Sequence, residues 1–325
     1  MDLSFATAAD HFDPAAMDPV AVDSAHPPSM TSLKIASGDA QLNALLYLAG
    51  GVGRHPIVVM FHGYPGNEKN LDLAQAIRRA GFHVLWFNYR GSWGSGGTFG
   101  MEHALEDARN VLAFVRSPEA VEKYGIDAHR VALVGHSFGG WLALMVGARD
   151  ARVSAIVSLA AWNAVVDVNL TEGDPKKRAA KIADLDEFDP GSGPLRGPGA
   201  AKLYEEITQH RVDYDYFRKA SELRTRPLLI VAATRDVDQP LPEYHEPLVK
   251  ALAAEQRVGL GVVQNDLGRP AFASVGLVHS GEHEPVVAAP RVEVVIYDDD
   301  HPFSAHRIAL AQKVTQWLTA ALPAP

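Results

Sequence analysis

From Ser32 onward, short apolar runs alternate with stretches of helical spacing, and this alternation restricts the fold more than any other feature of the chain. Ser32–Ala36 and Leu42–Leu48, separated by Gly38-Asp39, read as a hairpin. His55–Phe61, Phe82–Tyr89, Arg130–Val134, Val153–Leu159, Pro227–Val231 and Val292–Tyr297 read as further strands. Between or after them, helical spacing covers Asn70–Ala80, Glu102–Val115, a segment from Ser137 to about Ala148, and Ala305–Leu322. Strands that are apolar on both faces, alternating with amphipathic helices, predict a mostly parallel sheet covered on both sides. The fold class is therefore α/β.

Three stretches break the rhythm. Residues 1–30 are rich in Ala, Asp and Pro and predict a loosely ordered arm, with a flap over a pocket as the sharper alternative. Residues 164–222 are charged and contain Asp189-Pro190-Gly191-Ser192-Gly193-Pro194, followed by Tyr204, Tyr214, Tyr216 and Phe217. They read as an inserted, mainly helical cap. Residues 254–290 read as a smaller insertion, with Val258–Val263 and Ala273–Val278 as extra strands. The core would then consist of residues 31–163 and 223–325.

Gly135-His136-Ser137-Phe138-Gly139 follows the strand Arg130–Val134 directly and opens a helix. A serine on so sharp a turn is lifted above the sheet, and the two glycines remove side chains that would clash there. The helix start supplies free N–H groups and a favourable dipole for developing negative charge. A serine that merely caps a helix explains neither glycine.

With this motif in place, the chain resembles the α/β-hydrolase superfamily, and within it the esterase and prolyl-oligopeptidase-like hydrolases. The carriers are His62-Gly63-Tyr64-Pro65-Gly66, Asn88-Tyr89-Arg90-Gly91-Ser92, Gly135-His136-Ser137-Phe138-Gly139-Gly140, Thr234-Arg235-Asp236 and Asp300-His301. Their order, nucleophile then acid then base, is the family order. His62-Gly63-Tyr64-Pro65 also resembles the loop of epoxide hydrolases and dehalogenases. Those families use an aspartate nucleophile, where this chain has Ser137.

A serine hydroxyl needs a base. Of 14 histidines, His301 stands between the strand Val292–Tyr297 and the last helix, where the resemblance places that base. His306 is the runner-up, expected to lie already within the helix. Asp298, Asp299 and Asp300 are close in sequence and would favour the charged imidazole. The orienting acid is expected at Asp236, with Asp238 as competitor. The separation of Asp236 and His301 exceeds the family habit, and residues 254–290 account for the excess. For the oxyanion hole, Phe138 should give one backbone N–H and Tyr64 the other, since Pro65 has none. His136, Trp93 and Tyr204 are expected to line the substrate pocket.

Other classes recede. The chain carries 39 acidic and 30 basic residues, a net charge of −9, with no basic run for a nucleic acid. No cysteine is present, which removes disulfides, thiolate zinc and a thiol nucleophile. His279, Glu282, His283 and Glu284 suggest a metal only weakly, and no metal or cofactor is expected. Arg90–Gly97 is glycine-rich but lacks the spacing and lysine of a phosphate cradle. No secretory signal and no run of about 18 apolar residues is seen, so a cytoplasmic protein without a membrane span is expected.

The resemblance thus implies a serine esterase acting on a small-molecule ester through a Ser137–His301–Asp236 triad. A small-peptide hydrolase or amidase is the enzymatic alternative. A catalytically silent hydrolase-fold binding protein is the alternative of another class.

Overall fold

The computed structural model describes residues 12–186, 193–254 and 292–323. The hairpin pairs β1 (Ser29–Ser37) with β2 (Ala40–Leu48) across Gly38, whose φ of 56° suits a residue without a Cβ. Beyond it come β3 (His55–Phe61), α1 (Leu71–Arg79), β4 (His83–Phe87), α2 (Met101–Val115) and α3 (Pro118–Tyr124). The chain continues through β5 (Ile126–His136), α4 (Phe138–Arg149) and β6 (Ala155–Leu159).

An excursion follows, made of α5 (Ala164–Thr171), α6 (Pro175–Asp186), α7 (Ala200–Gln209), a 3-10 turn at Tyr216–Lys219 and α8 (Ala220–Leu223). The core resumes with β7 (Leu228–Ala233), α9 (Leu241–Tyr244), α10 (Glu246–Ala254), β8 (Val292–Tyr297) and α11 (Arg307–Ala321). The expected strands Val258–Val263 and Ala273–Val278, like His279, Glu282, His283 and Glu284, lie outside the described residues.

The strands form one sheet in the order β1-β2-β4-β3-β5-β6-β7-β8. β2 is antiparallel to both neighbours, and β4 through β8 run parallel. Parallel pairing puts the carboxyl ends of β3, β5, β7 and β8 on one edge of the sheet, where α/β proteins build their sites. Phe61 pairs with Gly135, His136 with Leu159, and Ala233 with Tyr297. The loops that leave those residues therefore start side by side.

Two apolar layers sandwich the sheet. One gathers Ile57, Val59 and Leu133 with α2, α4 and the excursion, and the other gathers Val58, Val134 and Val231 with α1 and α11. α4 is buried from Phe138 to Gly147. Its Trp141 Nε1–H donates to the Tyr214 carbonyl at 2.7 Å, which ties the elbow helix to the excursion.

Periodicity missed α3, which has Ser117 as N-cap and Pro118 in its first turn but is only seven residues long. β5 also extends further at both ends than its apolar centre, because Ile126–Arg130 is polar enough to look like a loop. The arm is partly anchored. The Pro14 carbonyl accepts a hydrogen bond from Arg79 Nε at 2.7 Å, and the His26 carbonyl accepts from Gly51 N–H at 2.9 Å.

Candidate active site

Ser137 sits between β5 and α4 with φ 58° and ψ −120°, a conformation that costs a non-glycine residue roughly 1–3 kcal/mol. The surroundings hold it there. Its N–H donates to the Leu159 carbonyl at 2.9 Å, and its own carbonyl accepts from Trp162 N–H at 3.0 Å. A Cβ on Gly135 would lie 1.9 Å from the Gly139 carbonyl oxygen, and one on Gly139 would lie 2.1 Å from that of Phe61. Both positions exclude any side chain.

Phe138 opens α4, so its N–H has no acceptor one turn earlier in the helix. The loop after β3 comes in from the other side: a Cβ on Gly63 would stand 3.2 Å from Ser137 Cβ and 3.6 Å from its Oγ. Tyr64 follows Gly63, and its peptide bond to Pro65 is cis. The Tyr64 hydroxyl turns away to donate to the Leu185 carbonyl at 3.0 Å, so the phenol binds the excursion. His62 braces this loop. Its Nδ1 lies 2.8 Å from the Gly63 carbonyl, and its ring packs on Tyr89 at 4.2 Å between centroids. Burial lowers the His62 pKa to about 4.

His301, on the turn after β8, places Nδ1 2.7 Å from Asp236 Oδ2. Asp236 is buried at the end of β7 and accepts two more hydrogen bonds on Oδ1, from Asp238 N–H at 2.9 Å and Gln239 N–H at 2.8 Å. Burial works to raise its pKa, but the His301 ring and those two N–H groups outweigh it and hold the carboxyl below the usual value. The competitor Asp238 is exposed and contributes its backbone rather than its carboxylate.

Asp298, Asp299 and Asp300 do not take the part expected from their proximity. Asp298 binds Thr234 and Arg235, and Asp300 caps Ser304 N–H at 2.8 Å. Asp299 is buried and pairs with His306 Nδ1 at 2.9 Å. His306 itself stands at the N-cap of α11 rather than inside the helix. A short acidic run points in several directions because successive residues on a turn do not share a face.

The three expected pocket residues also find other partners. His136 is buried, with Nε2 3.0 Å from the His301 carbonyl and its ring 4.7 Å from that of His301. Burial and the neighbouring His301 lower its pKa to about 3, so it stays neutral. It supports the His301 turn. Tyr204 is buried within the excursion, its hydroxyl 2.5 Å from Thr171 Oγ1. Trp93 is half-buried and donates from Nε1 to the Pro65 carbonyl at 2.8 Å, with Lys69 Nζ 3.9 Å above its ring. The Arg90–Gly97 loop is fixed from behind by a buried pair between Arg90 Nε and Asp107 at 2.6 Å. In front it pairs with the excursion, where Trp93 N–H donates to the Pro194 carbonyl at 2.9 Å and the Gly91 carbonyl accepts from Arg196 N–H at 2.6 Å.

His245, which nothing in the sequence singled out, lies buried near this acid and base; burial lowers its pKa to about 4, against the Asp236 charge. Asp236, Asp238 and His301 hold their ligand atoms within 4.8 Å of one another, close enough to chelate a cation. His301 Nδ1 and both Asp236 oxygens already have protein partners, so the set suits proton handling better than metal binding. Among the described residues no helix is long and apolar enough to cross a membrane.

The carboxyl edge of the sheet thus carries a strained serine at the start of α4, the Gly63 loop close beside it and an imidazole held by a buried carboxylate. Known proteins resemble this chain in sequence or in fold. The quorum-quenching protein AidA of Acinetobacter baumannii is 31% identical over 138 residues, 41% of this chain and 44% of that protein. The chain spans less than half the length of the curated relatives it matches. Est1E from Butyrivibrio proteoclasticus, with ferulic acid bound, superposes with a TM-score of 0.61 at 15% identity, over 90% of this chain and 100% of that one. The Pyrococcus horikoshii acylaminoacyl peptidase gives a TM-score of 0.57 at 14% identity, over 91% of this chain and 42% of that one. Residues 58–323 match the alpha/beta hydrolase family, over four-fifths of the sequence, and the chain belongs to that family.

Proposed function

We propose that this hydrolase cleaves carboxylic esters through an acyl-enzyme on Ser137. The observation that carries the reading is the 2.7 Å contact of His301 Nδ1 with Asp236, on the sheet edge that also presents Ser137. With Nδ1–H committed to the carboxylate, Nε2 is the basic nitrogen. It takes the proton of Ser137 Oγ as that oxygen attacks the acyl carbon, and the Phe138 and Tyr64 amides bind the oxyanion. The imidazolium returns the proton to the departing alkoxide. Water, deprotonated by the same nitrogen, then releases the acid and restores Ser137.

Residues 164–222 act in this reading as a cap over the core formed by 31–163 and 223–325. The contacts of Tyr64 with Leu185 and of the Arg90–Gly97 loop with residues 194–196 support it.

A fluorophosphonate probe tests the reading. Labelling of the intact protein that disappears in Ser137→Ala supports it, and an intact protein that is never labelled refutes it in favour of a silent binding protein. p-Nitrophenyl esters of increasing chain length, run beside aminoacyl anilides, separate ester from amide cleavage. Faster turnover of the anilides would assign a peptidase.

A further inference from the structure

At the far end of α4 from Ser137, the structure holds a cavity of about 420 Å³. A helix of this length separates the two ends by roughly 18 Å. Four arginines, Arg109, Arg116, Arg149 and Arg152, are among the residues that line the cavity, with a single acidic residue, Asp150. That is an unusual concentration of positive charge in a chain whose net charge is −9. Its walls include Leu105, Leu112 and Val146, so the charge borders an apolar surface.

The arginines are not consumed by their protein contacts. Arg116 is only 9% exposed, yet among the described residues it has one carboxylate partner, Asp150 on Nη1, while Nε and Nη2 have none. Asp150 is shared: it also meets Arg152 Nε at 3.3 Å, and its carbonyl accepts from Arg226 Nη1 at 2.7 Å. Arg109 reaches Glu102 at 3.2 Å on the exposed side, and Arg149 donates from Nη2 to the Asp213 carbonyl at 3.2 Å. The two unmatched nitrogens of Arg116 are closed to solvent and so lie behind the cavity wall, and the charges that an anion in the cavity would meet are those of the exposed Arg109, Arg149 and Arg152. The volume falls in the range of small-molecule sites, and the lining is divided evenly between charged and apolar residues.

We propose that this cavity is a second binding site, separate from the Ser137 site, for an organic anion with a carboxylate or phosphate head and an apolar body. The head lies among the arginines, and the body lies along Leu105, Leu112 and Val146.

Calorimetric titration of the full chain carrying Ser137→Ala, with octanoate and with octyl phosphate, tests it. At least one should bind saturably with a Kd below about 1 mM. The tighter of the two identifies the head. Octanol and inorganic phosphate should each bind at least about tenfold more weakly. Arg109 and Arg152 are exposed, and replacing both by alanine should weaken binding about tenfold or more while leaving the melting temperature unchanged. No saturable binding, equal binding of octanol or of phosphate alone, or binding unaffected by the double replacement would each overturn the proposal. The last outcome would place the ligand elsewhere, such as beside residue 137.

Discussion

His136 Nε2 lies 3.0 Å from the carbonyl oxygen of His301, so the residue before the elbow serine holds the backbone of the residue proposed as its base. Both ends of the proposed proton-transfer path are thereby fixed to one another through β5. His136→Phe keeps the bulk but loses the donor. It should lower kcat by roughly 10- to 100-fold with little change in KM, since a small misplacement of the base weakens the transition state more than substrate binding. His136→Gln, which can donate a hydrogen bond, should recover part of the loss. Equal rises in KM for both variants would show instead that His136 touches the substrate.

Asp236 and Asp238 differ by burial and by what they bind. Asp236→Asn should reduce kcat by about 10⁴, because an amide no longer holds Nδ1 as the protonated nitrogen. Asp238→Asn leaves the backbone N–H that reaches Asp236 in place and should retain activity within a few-fold. Steady-state rates on an activated ester decide between them. A larger loss in the Asp238 variant would transfer the role.

The second histidine–aspartate pair, His306 with Asp299, lies at the start of α11. Removing the imidazole leaves a buried carboxylate short of a partner. His306→Ala should therefore lower stability by about 1–3 kcal/mol in urea unfolding yet preserve turnover. His301→Ala should abolish turnover at a similar cost in stability, because it leaves the buried Asp236 short of a partner as well. Turnover lost in the His306 variant and kept in the His301 variant would make His306 the base.

Gly139 tests the elbow itself. A Cβ there would sit 2.1 Å from the Phe61 carbonyl oxygen, and backbone cannot yield as a flexible side chain can. Gly139→Ala should lose at least about 3 kcal/mol or fail to accumulate as folded protein. A melting temperature equal to that of the parent would rule out this contact.

Among the described residues burial depresses four histidines: His62, His83 and His245 to about 4, and His136 to about 3. In the unfolded chain they titrate near 6.5. As pH falls below that value the unfolded state binds protons that the folded state refuses, so stability falls with pH from about 6.5 to 4. Each histidine contributes up to roughly 1.4 kcal/mol per pH unit in that window. Urea midpoints at pH 7.5, 6 and 5 should decrease in that order. Constant midpoints would mean that these rings admit protons while folded.

Much of the fold was legible because its signals are local. β3 and β8 have the bounds expected from their apolar runs, and the hairpin turns where Gly38 stands. α3 escaped notice because seven residues hold too little periodicity. The helices of the excursion could be anticipated as a group but not placed, since Tyr204, Tyr214 and Tyr216 meet Thr171, Trp141 and Tyr244, partners distant in sequence.

The sequence by itself determined the strand–serine–helix turn, because two glycines and an apolar strand leave that backbone little alternative. It also determined the parallel sheet that gathers the strand ends. Only the tertiary structure decided which side chains meet. It joined Asp236 to His301 rather than to His306, directed Asp299 to His306, and turned His136 from a pocket residue into a support. The reason is the range of the information. Propensity and periodicity act over a few residues, whereas these pairings depend on how neighbouring strand ends aim their loops and on which carboxylate is buried.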